Sequence, residues 1–227
     1  MPAGDNRVAL RTPLTCYYEY CIPEHATPDA PVLVGLHGFG QNCGSFMRRL
    51  LPLAERGIAV AAVQAPHQFY LDLATKKVGF NWLTVYEREN TIADVTEYID
   101  AVTDDLLARA GGGTRPVFVL GFSQGVSMAW RYAVRRSARV AGMIACCADF
   151  APDAAAMLPD LKPFPAFLIH GEDDPLIPRA KLDEAAAHLE SAGWPHDTLV
   201  FEGGHEIESG TAHSIADWIL STLADKE

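Results

Sequence analysis

The chain has 227 residues, 49% of them hydrophobic and 21% charged. That is enough apolar material for a substantial core, and the length suits one domain spanning 1–227. Eighteen Lys and Arg stand against 29 Asp and Glu, a net charge of −11, which argues against nucleic acid and anionic membrane surfaces as partners.

Residues 1–7 (MPAGDNR) carry no apolar signal region, and no apolar run reaches membrane-spanning length, so no stable membrane insertion is expected. The five cysteines, Cys16, Cys21, Cys43, Cys146 and Cys147, are odd in number and match no metal-ligand spacing. That pattern fits a reducing, cytoplasmic setting. Cys16 and Cys21 would pair only in an exported chain. Cys146 and Cys147 sit in an apolar run and are expected to pack as small core residues.

Along the chain, apolar and amphipathic runs alternate. Residues 16–20 read as an edge strand and 32–36 as a buried strand. Residues 45–56 read as a helix stopped by Gly57, and 58–63 as a second buried strand. Residues 65–88 show no sustained period yet carry Pro66, His67, Phe69, Tyr70, Phe80 and Trp82. A long irregular segment rich in aromatics is expected to wall a pocket or act as a lid. Phe69, Tyr70, Phe80 and Trp82 are its candidate substrate contacts, and Lys76-Lys77 its solvated tip. An exposed apolar patch around Phe69, Tyr70 and Trp82 would also offer a homodimer or lipid contact.

The clearest helix is 89–109, where Ile92, Val95, Ile99, Val102 and Leu106 recur at three- and four-residue intervals before Gly111-Gly112-Gly113. A strand at 116–120 is followed by Gly121-Phe122-Ser123-Gln124-Gly125 and a helix at 126–134. Strands at 140–147, 166–169 and 198–201 alternate with helices at 179–191 and 209–223. This βαβα order predicts an α/β fold: a mostly parallel central sheet, helices on both faces, no large cap domain.

Strand, G-x-S-x-G, helix is the setting of a nucleophile elbow, in which a tight turn exposes the serine hydroxyl at the carboxyl end of the sheet. Ser123 is then the candidate nucleophile, and the Gln124 amide faces a developing oxyanion. A serine needs a general base, and the base a carboxylate that fixes its tautomer. His205, in Gly203-Gly204-His205-Glu206 after the strand 198–201, sits in a turn suited to swing over Ser123. The acid lies in His170-Gly171-Glu172-Asp173-Asp174-Pro175 after the strand 166–169. Glu172, Asp173 and Asp174 all remain candidates on residue chemistry alone. His170, at the strand end, reads as shaping that turn. The turn Leu36-His37-Gly38-Phe39-Gly40-Gln41-Asn42 follows another strand. Its glycines allow a bend that presents the Phe39 amide as a second oxyanion donor, and His37 reads as a structural hydrogen-bonding group.

Four of these motifs, Leu36-His37-Gly38-Phe39-Gly40, Gly121 to Gly125, His170 to Pro178 and Gly204-His205-Glu206, resemble in order and kind those of the phospholipase/carboxylesterase family of the α/β-hydrolases. The resemblance implies a catalytic triad of Ser123, Asp174 and His205, with Phe39 and Gln124 as the oxyanion hole. Trp82 resembles the tryptophan after the family's pocket loop. Val126 and Gln41-Asn42 stand where many members have glycine and an acidic residue. The expected activity is hydrolysis of a small-molecule carboxylic ester through an acyl-enzyme, with no cofactor and no metal. An acyl-protein thioesterase or lysophospholipase is the alternative enzyme, and a catalytically silent binding module on the same fold is the alternative of another class.

Overall fold

The computed structural model describes residues 8–224, so the expectation for the amino-terminal seven residues lies outside the described residues. Nine strands and six α-helices follow in chain order: β1 (Tyr18–Cys21), β2 (Val32–Leu36), α1 (Cys43–Ala54), β3 (Ala59–Val63), β4 (His67–Asp72), β5 (Lys77–Asn81), α2 (Arg88–Arg109), β6 (Val117–Phe122), α3 (Gln124–Arg135), β7 (Val140–Cys146), α4 (Pro152–Ala155), β8 (Ala166–Gly171), α5 (Ala180–Ser191), β9 (His196–Phe201) and α6 (Ser209–Ala224). Seven of the strands form one sheet in the order β1-β3-β2-β6-β7-β8-β9. All neighbours are parallel except the edge strand β1, which runs antiparallel to β3.

Strand alternation divides the apolar side chains between two faces. Val32, Val34, Val117, Val119, Met143 and Leu168 pack with α2, α3 and α5 on one side. Leu33, Val60, Phe118, Leu120, Ile144 and Ile169 pack with α1 and α6 on the other. Covering both faces removes the polar alternation of a half-exposed strand, which is why these strands read as continuous apolar runs.

The expected elements recur with boundaries shifted by at most two residues. Asn42 caps α1, its side chain accepting from the Ser45 amide at 2.8 Å. Gly57 after α1 has φ +86° and Gly111 to Gly113 after α2 have φ between +73° and +99°, a range open to glycine at little cost. Cys146 and Cys147 are buried as expected, and Cys16 and Cys21 are free thiols. Lys76 and Lys77 are exposed.

The segment 65–88 is not irregular. Most of it forms the antiparallel hairpin β4–β5, with His67 opposite Asn81 and a bulge between Tyr70 and Asp72. Its strands are largely exposed on both faces, so the hydrophobic alternation that signals a strand is weak.

The chain steps from β2 to β3 on one side, then returns through α2 to β6 on the other side of β2. The turns leaving β2 and β6 therefore diverge at their carboxyl ends. A crevice opens at such a switch point, where open α/β sheets place their ligands.

Candidate active site

The turn after β6 is built by exclusion. A Cβ on Gly121 would lie 2.4 Å from Val126 Cα, and one on Gly125 would lie 2.1 Å from the Leu36 carbonyl oxygen. Only glycine lets α3 approach β2 and β6 this closely. Ser123, between them, takes φ +52° and ψ −124°, a conformation that L-residues with a Cβ rarely hold. Its N–H donates to the Cys146 carbonyl at 2.9 Å, fixing the turn to β7.

His205 follows β9 in a loop that presses on the end of β8. A Cβ on Gly171 would meet the Gly204 carbonyl oxygen at 2.2 Å. His205 Nε2 lies 2.8 Å from Ser123 Oγ, and Nδ1 lies 2.7 Å from Asp174 Oδ2. An ionised carboxylate only accepts, so Nδ1 carries the proton and Nε2 is the acceptor for the serine hydroxyl. The expected turn is less open than its glycines suggest: the His205 side chain is 13% exposed and that of Asp174 is 0%. Phe122 packs against the imidazole with ring centroids 5.0 Å apart.

Of the three acids, the structure brings Asp174 to the histidine, while Glu172 and Asp173 are exposed. Asp174 Oδ1 accepts from the amides of Leu176 and Ile177 at 2.8 and 2.9 Å. Burial alone would raise its pKa. The Ile177 amide, His205 and the Leu176 amide outweigh burial and hold the carboxyl below its ordinary range.

The turn after β2 is held from behind. His37 is fully buried, its Nδ1–H donating to the Gly38 carbonyl at 2.8 Å and its Nε2 accepting from the Ala65 amide at 3.1 Å. Burial, opposed by the Gly38 bond, pushes its pKa down to about 4, so it stays neutral. It is structural, as its position at the strand end suggests. The Gly38 amide donates to Gln41 Oε1 at 3.0 Å and the Gly40 amide to the Phe80 carbonyl at 2.8 Å. Between them the Phe39 amide has no protein acceptor, and neither has the Gln124 amide at the start of α3, among the described residues. Both N–H groups belong to the turns that flank Ser123.

Residue chemistry alone did not reveal what secures these amides. The Gln124 side chain accepts from the Trp82 amide at 3.1 Å and donates to the Leu83 carbonyl at 3.2 Å. Trp82 Nε1 donates to the His37 carbonyl at 2.7 Å. Trp82 is fully buried, which corrects its expected place on a pocket wall and in an exposed patch. It is a strut under the turn. Phe69 and Phe80 are half-buried and Tyr70 is exposed; Phe69 packs at a tilt against Phe39, ring centroids 4.9 Å apart. Beneath α3, Arg131 is buried and makes a bidentate bond to Asp153 at 2.8 and 2.6 Å, and Arg88 joins it at 3.1 Å. Sequence spacing gave no sign of this link between the start of α2, α3 and α4.

A cavity of about 280 Å³ beside His205 is lined by Gln41, Phe46, Arg49, Phe122, Glu206 and Ile207. A larger hollow, about 780 Å³, lies between the segment 9–16 and α2 and does not reach Ser123, so it is not the candidate site. Cys147, Asp174 and His205 place one donor atom each within 4.8 Å of one another. Asp174 and His205 already spend theirs on one another, which makes the group a hydrogen-bonded pair with a thiol beside it rather than an open coordination sphere.

Fold and site together define an α/β-hydrolase with no large cap. The model of the phospholipase/carboxylesterase family matches residues 19–223, and the chain belongs to that family. It is 30% identical over 183 residues to NocK of Nocardia uniformis subsp. tsuyamanensis, named as an esterase; the match covers 74% of this chain and 49% of the relative, so the chain spans about half its length. The fold is similar to that of the Bacillus cereus carboxylesterase (TM-score 0.66, 18% identity, 91% of this chain and 94% of that one). It is equally similar to Zea mays acyl-protein thioesterase 2 (TM-score 0.67, 16% identity, 91% and 99%). Among the described residues, no helix is long and apolar enough to cross a membrane.

Proposed function

We propose that this chain is a one-domain serine hydrolase of small carboxylic esters, with Ser123 as nucleophile, His205 as general base and acid, and Asp174 as the orienting carboxylate. The observation that carries the reading is the unbroken hydrogen-bonded series Ser123–His205–Asp174, which starts on a strained residue flanked by two amides without acceptors.

His205 Nε2 takes the Ser123 proton as Oγ attacks the acyl carbon. The carbonyl electron pair moves onto oxygen, and the Phe39 and Gln124 N–H groups bind the oxyanion. These donors are held before the charge develops, so little reorganisation is needed when it does. His205 then gives the proton to the leaving-group oxygen, and the C–O bond breaks to leave an acyl-enzyme. Water, deprotonated by the same imidazole, releases the acid. Asp174 keeps Nδ1 protonated throughout and stabilises the imidazolium. None of these steps calls on a cofactor.

Turnover of p-nitrophenyl acetate and butyrate by wild type and Ser123→Ala tests the reading. Activity should fall by about 10⁴-fold or more in the variant, and turnover retained there would sink the assignment. Absence of fluorophosphonate labelling on folded wild type would point to a silent binding module.

A further inference from the structure

The hydrogen-bond accounting around Asp174 leaves one place open. A carboxylate offers about four acceptor positions. Oδ1 fills two with the Leu176 and Ile177 amides, and Oδ2 fills one with His205. The side chain is 0% exposed, and an unfilled position on a buried charge is costly.

The neighbouring group with a proton to offer is the Cys147 thiol. Its sulfur lies within 4.8 Å of both the Asp174 carboxylate and the His205 ring. As placed, the thiol donates to the Glu206 carbonyl at 3.9 Å, a long contact that rotation of its single proton about Cβ–Sγ exchanges for Asp174. The backbone is bent to put the side chain there. Cys147 follows β7 with φ +56°, and its N–H still donates to the Ile169 carbonyl at 2.8 Å. Among the described residues, non-glycine positive φ occurs at Lys76, Glu87, Ser123 and Cys147. The first is at the hairpin tip and the second caps α2, while the other two follow the neighbouring strands β6 and β7, one of them the candidate nucleophile itself. Backbone strain of this kind persists where the surroundings enforce it, often at functional sites.

We propose that Cys147 is a positioning residue: its thiol donates the fourth hydrogen bond to Asp174 and so fixes the carboxylate that orients His205. This rests on the triad assigned above. Burial, reinforced by the Asp174 charge, pushes the thiol up to about 12, so it stays a protonated donor at neutral pH. Losing the donor has two consequences of opposite kind. The carboxylate becomes freer to rotate, which slows catalysis. It also becomes a stronger acceptor, which stabilises the imidazolium and moves the acid limb of the rate profile to higher pH.

The test compares wild type, Cys147→Ser, Cys147→Ala and Cys147→Gly on p-nitrophenyl butyrate, with kcat, KM and the pH profile measured and folding checked by thermal melting. Glycine accepts positive φ, so the last variant removes the donor without backbone strain. Alanine and glycine should each lower kcat about 5- to 10-fold, the size of one ordinary hydrogen bond, since a thiol is a weak donor. KM should hold, and the acid limb should rise by a few tenths of a pH unit. Serine, which keeps a donor, should recover most of the loss and return the limb. Equal losses in all three variants, or none in alanine and glycine, would overturn the proposal. Fluorophosphonate labelling of wild-type Ser123 tests the underlying triad independently of every Cys147 variant.

Discussion

The floor of the candidate site and its hairpin wall are held in opposite ways. The floor is fixed by absence of space: glycine Cβ atoms at Gly121 and Gly125 would overlap backbone, and a Cβ at Gly38 would sit 3.1 Å from Phe122. Buried His37 and Trp82 lock it from below through four hydrogen bonds to backbone and amide groups. The wall, β4–β5, meets the floor through the Gly40–Phe80 backbone bond, the tilted Phe39–Phe69 ring pair and Leu71, which fills the space over Gly40 and Gly79. Its Tyr70, Leu73 and Val78 are exposed at 57, 78 and 39%. Sterics leave the floor one geometry, whereas the wall can change its side chains at little cost to folding. On the proposed function, reaction chemistry and substrate preference would be housed in separately constrained parts.

The largest effect should come from the floor's charged partner. Asp174→Asn would remove the acceptor that keeps the proton on His205 Nδ1, and kcat should drop by about 10⁴-fold, the cost of losing the right tautomer. Asp173→Asn changes an exposed neighbour and should stay within about 2-fold of wild type, as surface substitutions usually do. Matched kinetics on one ester decide the matter, and comparable losses would mean that the acid is misassigned.

The floor also predicts how stability responds to acid. His37 has an ordinary value near 6.5, lowered to about 4 in the fold. The unfolded chain therefore binds the extra proton between those values. The stabilisation is complete above about pH 6.5 and drains away as pH falls toward 4, by about 3 kcal/mol. Asp174, also lowered, adds a loss of the same sign at more acid pH. Thermal melting of wild type and His37→Gln from pH 7 to 4 measures this. The variant, less stable at pH 7, should show the shallower slope, and equal slopes would assign the titration to another group.

The floor was far more legible in the sequence than the wall, for physical reasons. Gly121, Ser123 and Gly125 announce their turn because no other residue fits the contacts it makes. Runs such as Val32–Leu36 announce buried parallel strands because both faces are covered. Order along the chain then points to His205. The acid was open among Glu172, Asp173 and Asp174 until the family resemblance chose Asp174, because only folding shows which carboxylate turns inward. The hairpin escaped because its strands are solvated on both sides and carry little period. Trp82 was misplaced for a related reason: an aromatic in a polar stretch reads as a pocket contact, and nothing local reveals that its N–H reaches the His37 carbonyl. The Arg131–Asp153–Arg88 link and the place of Cys147 depend on contacts between distant segments, which no local pattern encodes.

Trp82 and Tyr70 lie twelve residues apart on this boundary, and they give the finest test of it. Trp82→Phe keeps an aromatic side chain, smaller than the indole, and deletes the donor to the His37 carbonyl, a buried acceptor. Leaving it unsatisfied should cost about 1–3 kcal/mol of stability. It should also lower kcat about 10-fold by loosening the turn that carries the Phe39 amide, with KM little altered. Tyr70→Ala, on the exposed wall, should leave the melting temperature and kcat close to wild type. Its mark should be a change of about 2- to 5-fold in KM that grows with acyl-chain length, as expected when apolar contact area is removed. A series of p-nitrophenyl esters from acetate to octanoate separates the two patterns. If Tyr70→Ala lowered kcat equally for every ester while Trp82→Phe altered only chain-length preference, the roles of floor and wall would have to be exchanged.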